Sequence, residues 1–124
     1  MTSTFSKILR FLLALALLVF GANKFFNFMP LPEMPEVANS FMNSLDASGY
    51  ILPLIGIIEI FIAILLLLNK WVPFALLLLV PISLNIILFH IFLDFSGIYA
   101  ALVIGFINLL LIFKSWPAYR SLFK

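Results

Sequence analysis

Four long apolar stretches, separated by polar or proline-bearing joints, account for most of the chain. They run over 8–28, 50–68, 71–93 and 97–113. Each meets or approaches the roughly 20 residues that a helix needs to cross the hydrocarbon core of a bilayer. The joints at 69–70 and 94–96 are too short for anything but a turn, so the helices they join are antiparallel neighbours. The pattern predicts an all-α fold: an integral membrane four-helix bundle with up-down-up-down topology, forming a single transmembrane domain over 1–124.

The first joint differs from the others. Pro30, Pro32 and Pro35 stiffen its start. Over 35–46, Val37, Ala38, Phe41, Met42 and Leu45 then fall on one side of a helical period, with Glu36, Asn39, Asn43 and Asp46 elsewhere. Three turns are too few to span, so this segment is expected to lie flat as a short interfacial helix in the first extracytoplasmic loop. At the far end, 115–124 places Trp116, Tyr119, Leu122 and Phe123 among Arg120 and Lys124, the pattern of a basic interfacial tail.

Charge then orients the bundle. Lys7, Arg10, Lys70, Lys114, Arg120 and Lys124 fall on one side of the four-span pattern, and Glu33, Glu36, Asp46 and Asp94 on the other. By the positive-inside rule both termini are cytoplasmic. This is the expectation for a multi-pass protein of the bacterial cytoplasmic (inner) membrane. Lys7 and Arg10 ahead of an apolar core resemble a signal peptide, but Phe20 stands where a cleavage site needs a small residue. The first span is therefore read as uncleaved.

Composition agrees with a membrane class and narrows the chemistry. Apolar residues make up 65% of the chain and charged ones 10%, which points to the bilayer as solvent and leaves a net charge of +2 to topology rather than to nucleic acid. With no cysteine, dithiol chemistry, thiolate metal sites and disulfides are excluded. His90 is the only histidine, so a bis-histidine haem within one chain is excluded. A metal shared by His90, Asp94 and Glu59 would need ligands at very different depths, and no metal site is expected. No serine-histidine-aspartate grouping, phosphate loop or nucleotide fingerprint occurs.

Two charges break the orientation pattern, Lys24 and Glu59. An acid at a helix centre costs roughly 2.5–3.5 kcal/mol on insertion scales, so Glu59 needs compensation. Helices in lipid associate through small residues and buried polar contacts. In the second span Gly49, Gly56 and Ala63 recur every seven residues, and Glu59 shares their face. In the first span Ala14 and Gly21 are followed by Lys24, and in the fourth Gly97, Ala101 and Gly105 by Asn108. At about 1.5 Å per residue, Lys24 and His90 lie about 5 Å below the outer ends of their helices, and Glu59 and Asn85 about 12–14 Å below. A Lys24–Glu59 pair is within reach of the lysine stem if the first two spans are neighbours.

In the third span Asn85 stands one turn above Pro81, while Ser83, His90 and Asp94 form another stripe. Asn85 and His90 differ by roughly 140° around the axis, so one pocket can hold both only if Pro81 or a bulge rotates the upper half. Lys24, Glu59, Asn85 and His90 are the candidate ligand-binding residues. Asn23, Asp94 and Asn108 are expected to be structural polar positions, with Asp94 a possible hydrogen-bond partner for His90. Phe25, Phe26 and Phe28 beside Lys24 are candidates for an apolar ring pocket. A short internal echo, Ile55-Gly56-Ile57-Ile58-Glu59 against Ile104-Gly105-Phe106-Ile107-Asn108, is compatible with a duplicated hairpin.

With these residues in view, the chain resembles the DoxX family of small four-span bacterial membrane proteins over 8–122. The matching pieces are Gly21-Ala22-Asn23-Lys24-Phe25-Phe26, Ser48-Gly49-Tyr50, Gly56-Ile57-Ile58-Glu59, Asn69-Lys70-Trp71-Val72-Pro73, and Asn85 through Phe89-His90. The resemblance implies a quinone- or redox-linked accessory role, with lipid, a quinone or other small molecule, redox partner subunits or further copies of the chain as partners. It supplies no catalytic residue common to all members. The chain itself carries no cofactor, although a quinone would fit the role. Three roles stay open at this level: a ligand-binding redox subunit with an outward polar cleft, an oligomeric carrier or channel for a small solute or proton, and a non-catalytic scaffold.

Overall fold

The computed structural model describes residues 4–27 and 33–123. Phe28, Pro30, Pro32 and Lys124, named above, lie outside the described residues. Helix α1 covers Thr4–Phe26, α2 Glu36–Ala47, α3 Ile51–Leu68, α4 Val72–Phe92 and α5 Ile98–Lys114. Short 3₁₀ segments follow at Phe95–Gly97, ahead of α5, and at Trp116–Phe123. The helices α1, α3 and α4, together with the continuous stretch Phe95–Lys114, are long and apolar enough to cross a membrane. The first span starts at Thr4, earlier than the expected position 8, because the polar Thr4, Ser6, Lys7 and Arg10 extend the helix without interrupting its backbone ladder.

Local chemistry sets the ends of the elements. Pro35, with φ −55° and ψ 154°, precedes α2, and Glu36 in the first turn complements the helix dipole. Ser48 Oγ accepts the backbone N–H groups of Tyr50 and Ile51 at 3.4 and 3.2 Å, satisfying donors at the start of α3. Asn69 adopts the left-handed conformation at the end of α3, and the N–H of Lys70 returns to the Leu65 carbonyl at 3.0 Å. The left-handed Trp71 completes the reversal into α4, where Pro73 occupies the first turn, a position that needs no N–H donor.

The helices pair unequally. α1 packs most extensively on α3 and α4 on α5, while α3 meets α4 and α1 meets α5 over smaller areas. The apolar core occupies one half of the bundle, the half near Lys70, where Leu13, Leu17, Ile62, Leu66, Leu76, Leu79 and Leu111 are fully or almost fully buried. At that end an Arg10 N–H donates to the Asn69 side-chain oxygen, tying α1 to the α3–α4 turn. The Tyr119 hydroxyl donates to the Pro73 carbonyl at 2.7 Å, and its ring is buried. The C-terminal segment is therefore docked on the start of α4 through Tyr119, while Trp116 and Phe123 stack on each other and stay exposed.

Asn108 joins α5 to α4. Its amide nitrogen donates to the Leu76 carbonyl at 3.0 Å and its oxygen accepts from Ser83 Oγ at 3.1 Å, with all three groups away from lipid. This interhelical role is the one expected of it. Replacing Asn108 by Leu removes both bonds and strands the Ser83 hydroxyl, at an expected loss of about 0.6–1.7 kcal/mol. Unfolding in mixed micelles with increasing denaturing detergent measures this, and an unchanged midpoint would contradict the bridge.

Candidate functional site

Lys24 and Glu59 come together because α1 and α3 cross at two glycines. A Cβ at Gly21 would stand 3.0 Å from the Gly56 carbonyl oxygen and 2.8 Å from Ile60 Cγ1. A Cβ at Gly56 would stand 3.2 Å from the Gly21 oxygen and 2.9 Å from Phe25 Cε2. The backbones thus touch at a place where any side chain would hold them apart. One turn beyond Gly21, the Lys24 ammonium reaches Glu59 Oε1 at 2.7 Å. The Glu59 side chain is 1% exposed and that of Lys24 24% exposed. The acid looks into protein, and its charge is met by a lysine that keeps further N–H donors available.

The other half of the bundle, nearest α2, is hollow. A cavity of about 800 Å³ lies between the first half of α3 and the second half of α4. Lys24 stands on one side of it, and Phe41, Met42 and Leu45 of α2 close over it. Its walls include Leu52, Ile55, Ile82, Ile86 and Phe89. The polar residues that line it are Lys24, Glu59, Asn85 and His90. The expected cleft was polar. The observed cavity is instead greasy, with these few polar groups set into apolar walls, because the rest of its lining from α2, α3 and α4 is apolar and Ser83 is turned away toward Asn108 of α5. Of the lining residues, Asn85 and Leu88 are exposed along α4.

Asn85 and His90 both line this space. α4 continues through Pro81 as a single α-helix, so no break brings them together. The cavity instead spreads over much of the α4 surface between Pro81 and Leu93. Asn85 donates from Nδ2 to the Pro81 carbonyl at 2.9 Å. The expected bond from His90 to Asp94 is present in a different form: His90 Nδ1 meets the Asp94 backbone carbonyl at 3.0 Å, while the buried Asp94 carboxylate accepts from Ser96 Oγ at 2.7 Å. Asp94 is thereby a structural polar group of the α4–α5 turn. Asn23, the residue before Lys24 on α1, is half-buried.

Several expectations are corrected. Gly49 does not extend the α3 stripe: it is exposed in the α2–α3 turn at φ +80°, a conformation that favours glycine. Gly97 closes the 3₁₀ turn ahead of α5 and is backed by the His90 ring, with Cε1 2.5 Å and Nδ1 2.7 Å from where a Cβ would stand. Phe25 and Phe26 do not line the cavity. The Phe25 ring covers Gly56 and Phe26 points outward at 75% exposure, since one residue is roughly 100° of helix rotation. The cavity's aromatic rings come from Phe41, Phe89 and Phe92, with Phe41 and Phe89 5.7 Å apart. The apolar stripe of α2 was the sequence signal for Phe41, Met42 and Leu45. Nothing local in the sequence signalled that Gly97 makes room for His90.

Gly97→Ala is accordingly expected to push the imidazole off its carbonyl, with a loss of about 1–3 kcal/mol from overpacking. His90 is the only histidine, so a single imidazole NMR signal reports the change, and a signal unmoved by the substitution would show that the ring has room to spare.

Among the described residues no group of three or more histidine, cysteine or acidic side chains is placed to hold a metal ion. The family model DoxX matches residues 5–93, which take in all but the first residue of α1, the whole of α2, α3 and α4, and, among the described residues, every one that lines the cavity. No curated protein and no solved structure matches the chain.

Proposed function

The chain belongs to the DoxX family, and from that premise we propose that it binds a lipid-borne amphiphile, a quinone or a small ligand of similar shape, as an accessory subunit of a redox-linked assembly in the bacterial inner membrane. The observation that carries the reading is the lining of the cavity. A buried carboxylate held by a partly exposed ammonium borders a space of about 800 Å³ with otherwise apolar walls. That is the composition of a small-molecule site, mostly apolar with a few fixed polar groups. Intramembrane ionisable residues mark functional positions by default. The exposed flank of α4 at Asn85 and Leu88 is the lateral way in that this reading assigns to a membrane-dissolved ligand, with its head group toward Lys24 and Glu59 and its apolar part along α3 and α4.

Binding is a better reading than transport for a single chain. The layer of Leu13, Leu17, Ile62, Leu66, Leu76, Leu79 and Leu111 is packed without exposure in the other half of the bundle. A solute entering the cavity would meet that layer before reaching the Lys70 end. By the positive-inside rule the cavity half faces outward and both termini face the cytoplasm.

The test is a titration of a short-chain quinone into the protein in lipid nanodiscs, with empty nanodiscs subtracting plain partitioning. Saturable binding is expected, weakened at least about tenfold in Glu59→Gln by loss of a charge-assisted contact. A response no larger than that of empty discs, or one equal in wild type and Glu59→Gln, sinks the reading.

A further inference from the structure

We propose that the end of the bundle at the α3–α4 turn holds an anionic phospholipid, with its phosphate among Arg10, Lys70 and Arg120 and its acyl chains along the neighbouring helices. This is the end away from the cavity, and the proposal does not depend on what the cavity binds.

Three separate elements bring these bases to one turn. The half-buried Arg10 of α1 donates to the Asn69 side-chain oxygen. Lys70 follows Asn69 in the turn itself and is exposed. From the C-terminal side, the Tyr119 hydroxyl donates to the carbonyl of Pro73, three residues past Lys70, at 2.7 Å. The Tyr119 ring is buried there, and the exposed Arg120 follows it directly. Arg120 is thus carried to the turn by a folded contact rather than by a free tail.

The chain supplies no counter-charge at this place. Its five acids are Glu33, Glu36, Asp46, Glu59 and Asp94. The first three lie in or just before α2, Asp94 lies in the α4–α5 turn, and Glu59 is engaged by Lys24. Among the described residues Lys24–Glu59 is the only salt bridge, so Arg10, Lys70 and Arg120 have no carboxylate partner. Their surroundings select the kind of anion. Leu68, Trp71 and Phe74 are exposed around the same turn, and Trp116 and Phe123 stack on each other, exposed, on either side of Arg120 in the chain. A soluble anion would meet the charges and leave this apolar rim uncovered. A phospholipid brings phosphate and hydrocarbon together, which suits bases between spans and indole rings at the interface. Arginine takes phosphate oxygens through its fork and lysine as a point charge.

The test uses the chain's own reporters. Trp71 and Trp116 are its only two tryptophans, and both stand at this end, so indole fluorescence reads the lipid here. The protein is placed in phosphatidylcholine nanodiscs containing a graded fraction of phosphatidylglycerol with brominated acyl chains, which quench indole on contact. Brominated phosphatidylcholine is the reference. At physiological salt, charges more than about 8 Å apart are largely screened. Half-maximal quenching is expected at an at least about tenfold lower fraction of phosphatidylglycerol than of the reference. In Lys70→Gln with Arg120→Gln that preference is expected to fall at least about fivefold, the equivalent of one base at an anionic surface. Lys70→Arg with Arg120→Lys is expected to keep it. Lys7→Gln with Lys114→Gln removes the same charge from exposed positions outside the three and is expected to keep most of it. All four positions are exposed, so unfolding midpoints in phosphatidylcholine discs are expected to stay constant. Equal quenching by the two lipids in the wild type would overturn the proposal and leave the bases to an acidic protein partner. Equal losses in the two charge-removing pairs would also overturn it, leaving only the diffuse attraction of a positive end. Displacement of the brominated lipid by chain-free glycerophosphoglycerol would assign the bases to free phosphate esters and overturn the lipid as occupant.

Discussion

Replacing Lys24 by Met, with Glu59 left in place, is expected to destabilise the bundle by about 3–5 kcal/mol, the cost of leaving one member of a buried ion pair uncompensated. The pair is 2.7 Å long, and its acid is 1% exposed. No other ion pair is present among the described residues to take over the charge. The double variant Lys24→Met, Glu59→Leu is expected to recover most of that loss, since well-packed apolar residues replace a buried pair at little net cost. The same double variant should not bind the quinone, which separates the pair's contribution to stability from its contribution to recognition. Unfolding midpoints in mixed micelles provide the measurement. Equal midpoints for wild type and Lys24→Met would mean that the carboxyl group finds another partner, and the pair would lose its central place.

Gly21→Ala and Gly56→Ala are each expected to lower stability by about 1–3 kcal/mol through overpacking. The added methyl at position 21 would stand 3.0 Å from a backbone oxygen, and that at position 56 would stand 3.2 Å from one. Backbone cannot swing aside as a side-chain tip can, so α1 and α3 must separate. Separation draws Lys24 away from Glu59, and ligand affinity is expected to fall along with the unfolding midpoint. The two substitutions act on one crossing, so their effects should be less than additive. Leu12→Ala on the same helix is the control: Leu12 is 53% exposed on the lipid side, and a change within about 0.5 kcal/mol is expected there. A control that loses as much as the glycine variants would remove the special status of the crossing. Helicity measured by circular dichroism is expected to stay constant throughout, because alanine favours the helix more than glycine does.

The Lys24–Glu59 contact was legible because a membrane gives charges few places to go. An acid on the same helical face as Gly56 and Ala63, and a lysine one turn beyond Gly21, can only be reconciled with hydrocarbon by facing each other. Asn108 was legible for the same reason. The stripes failed at their ends. Gly49 and Gly97 continue the periodicity of their helices in sequence, yet both lie in turns, where glycine serves a left-handed conformation in one case and clearance for the His90 ring in the other. Periodicity records which residues would share a face if the helix continued, and it carries no mark of where the helix stops.

The amino-acid sequence by itself determined the four membrane-spanning helices, their order, and which polar side chains avoid lipid. Each of these follows from the local balance between apolar surface and hydrocarbon, residue by residue. Tertiary structure alone decided that the helices pair as α1 with α3 and α4 with α5, that the core fills only the half near Lys70, and that the other half is left hollow under α2. Packing against lipid is about as favourable as packing against another apolar helix, so hydropathy does not choose partners. Backbone approach at Gly21 and Gly56 does, and the cavity forms where no such contact draws α3 and α4 together.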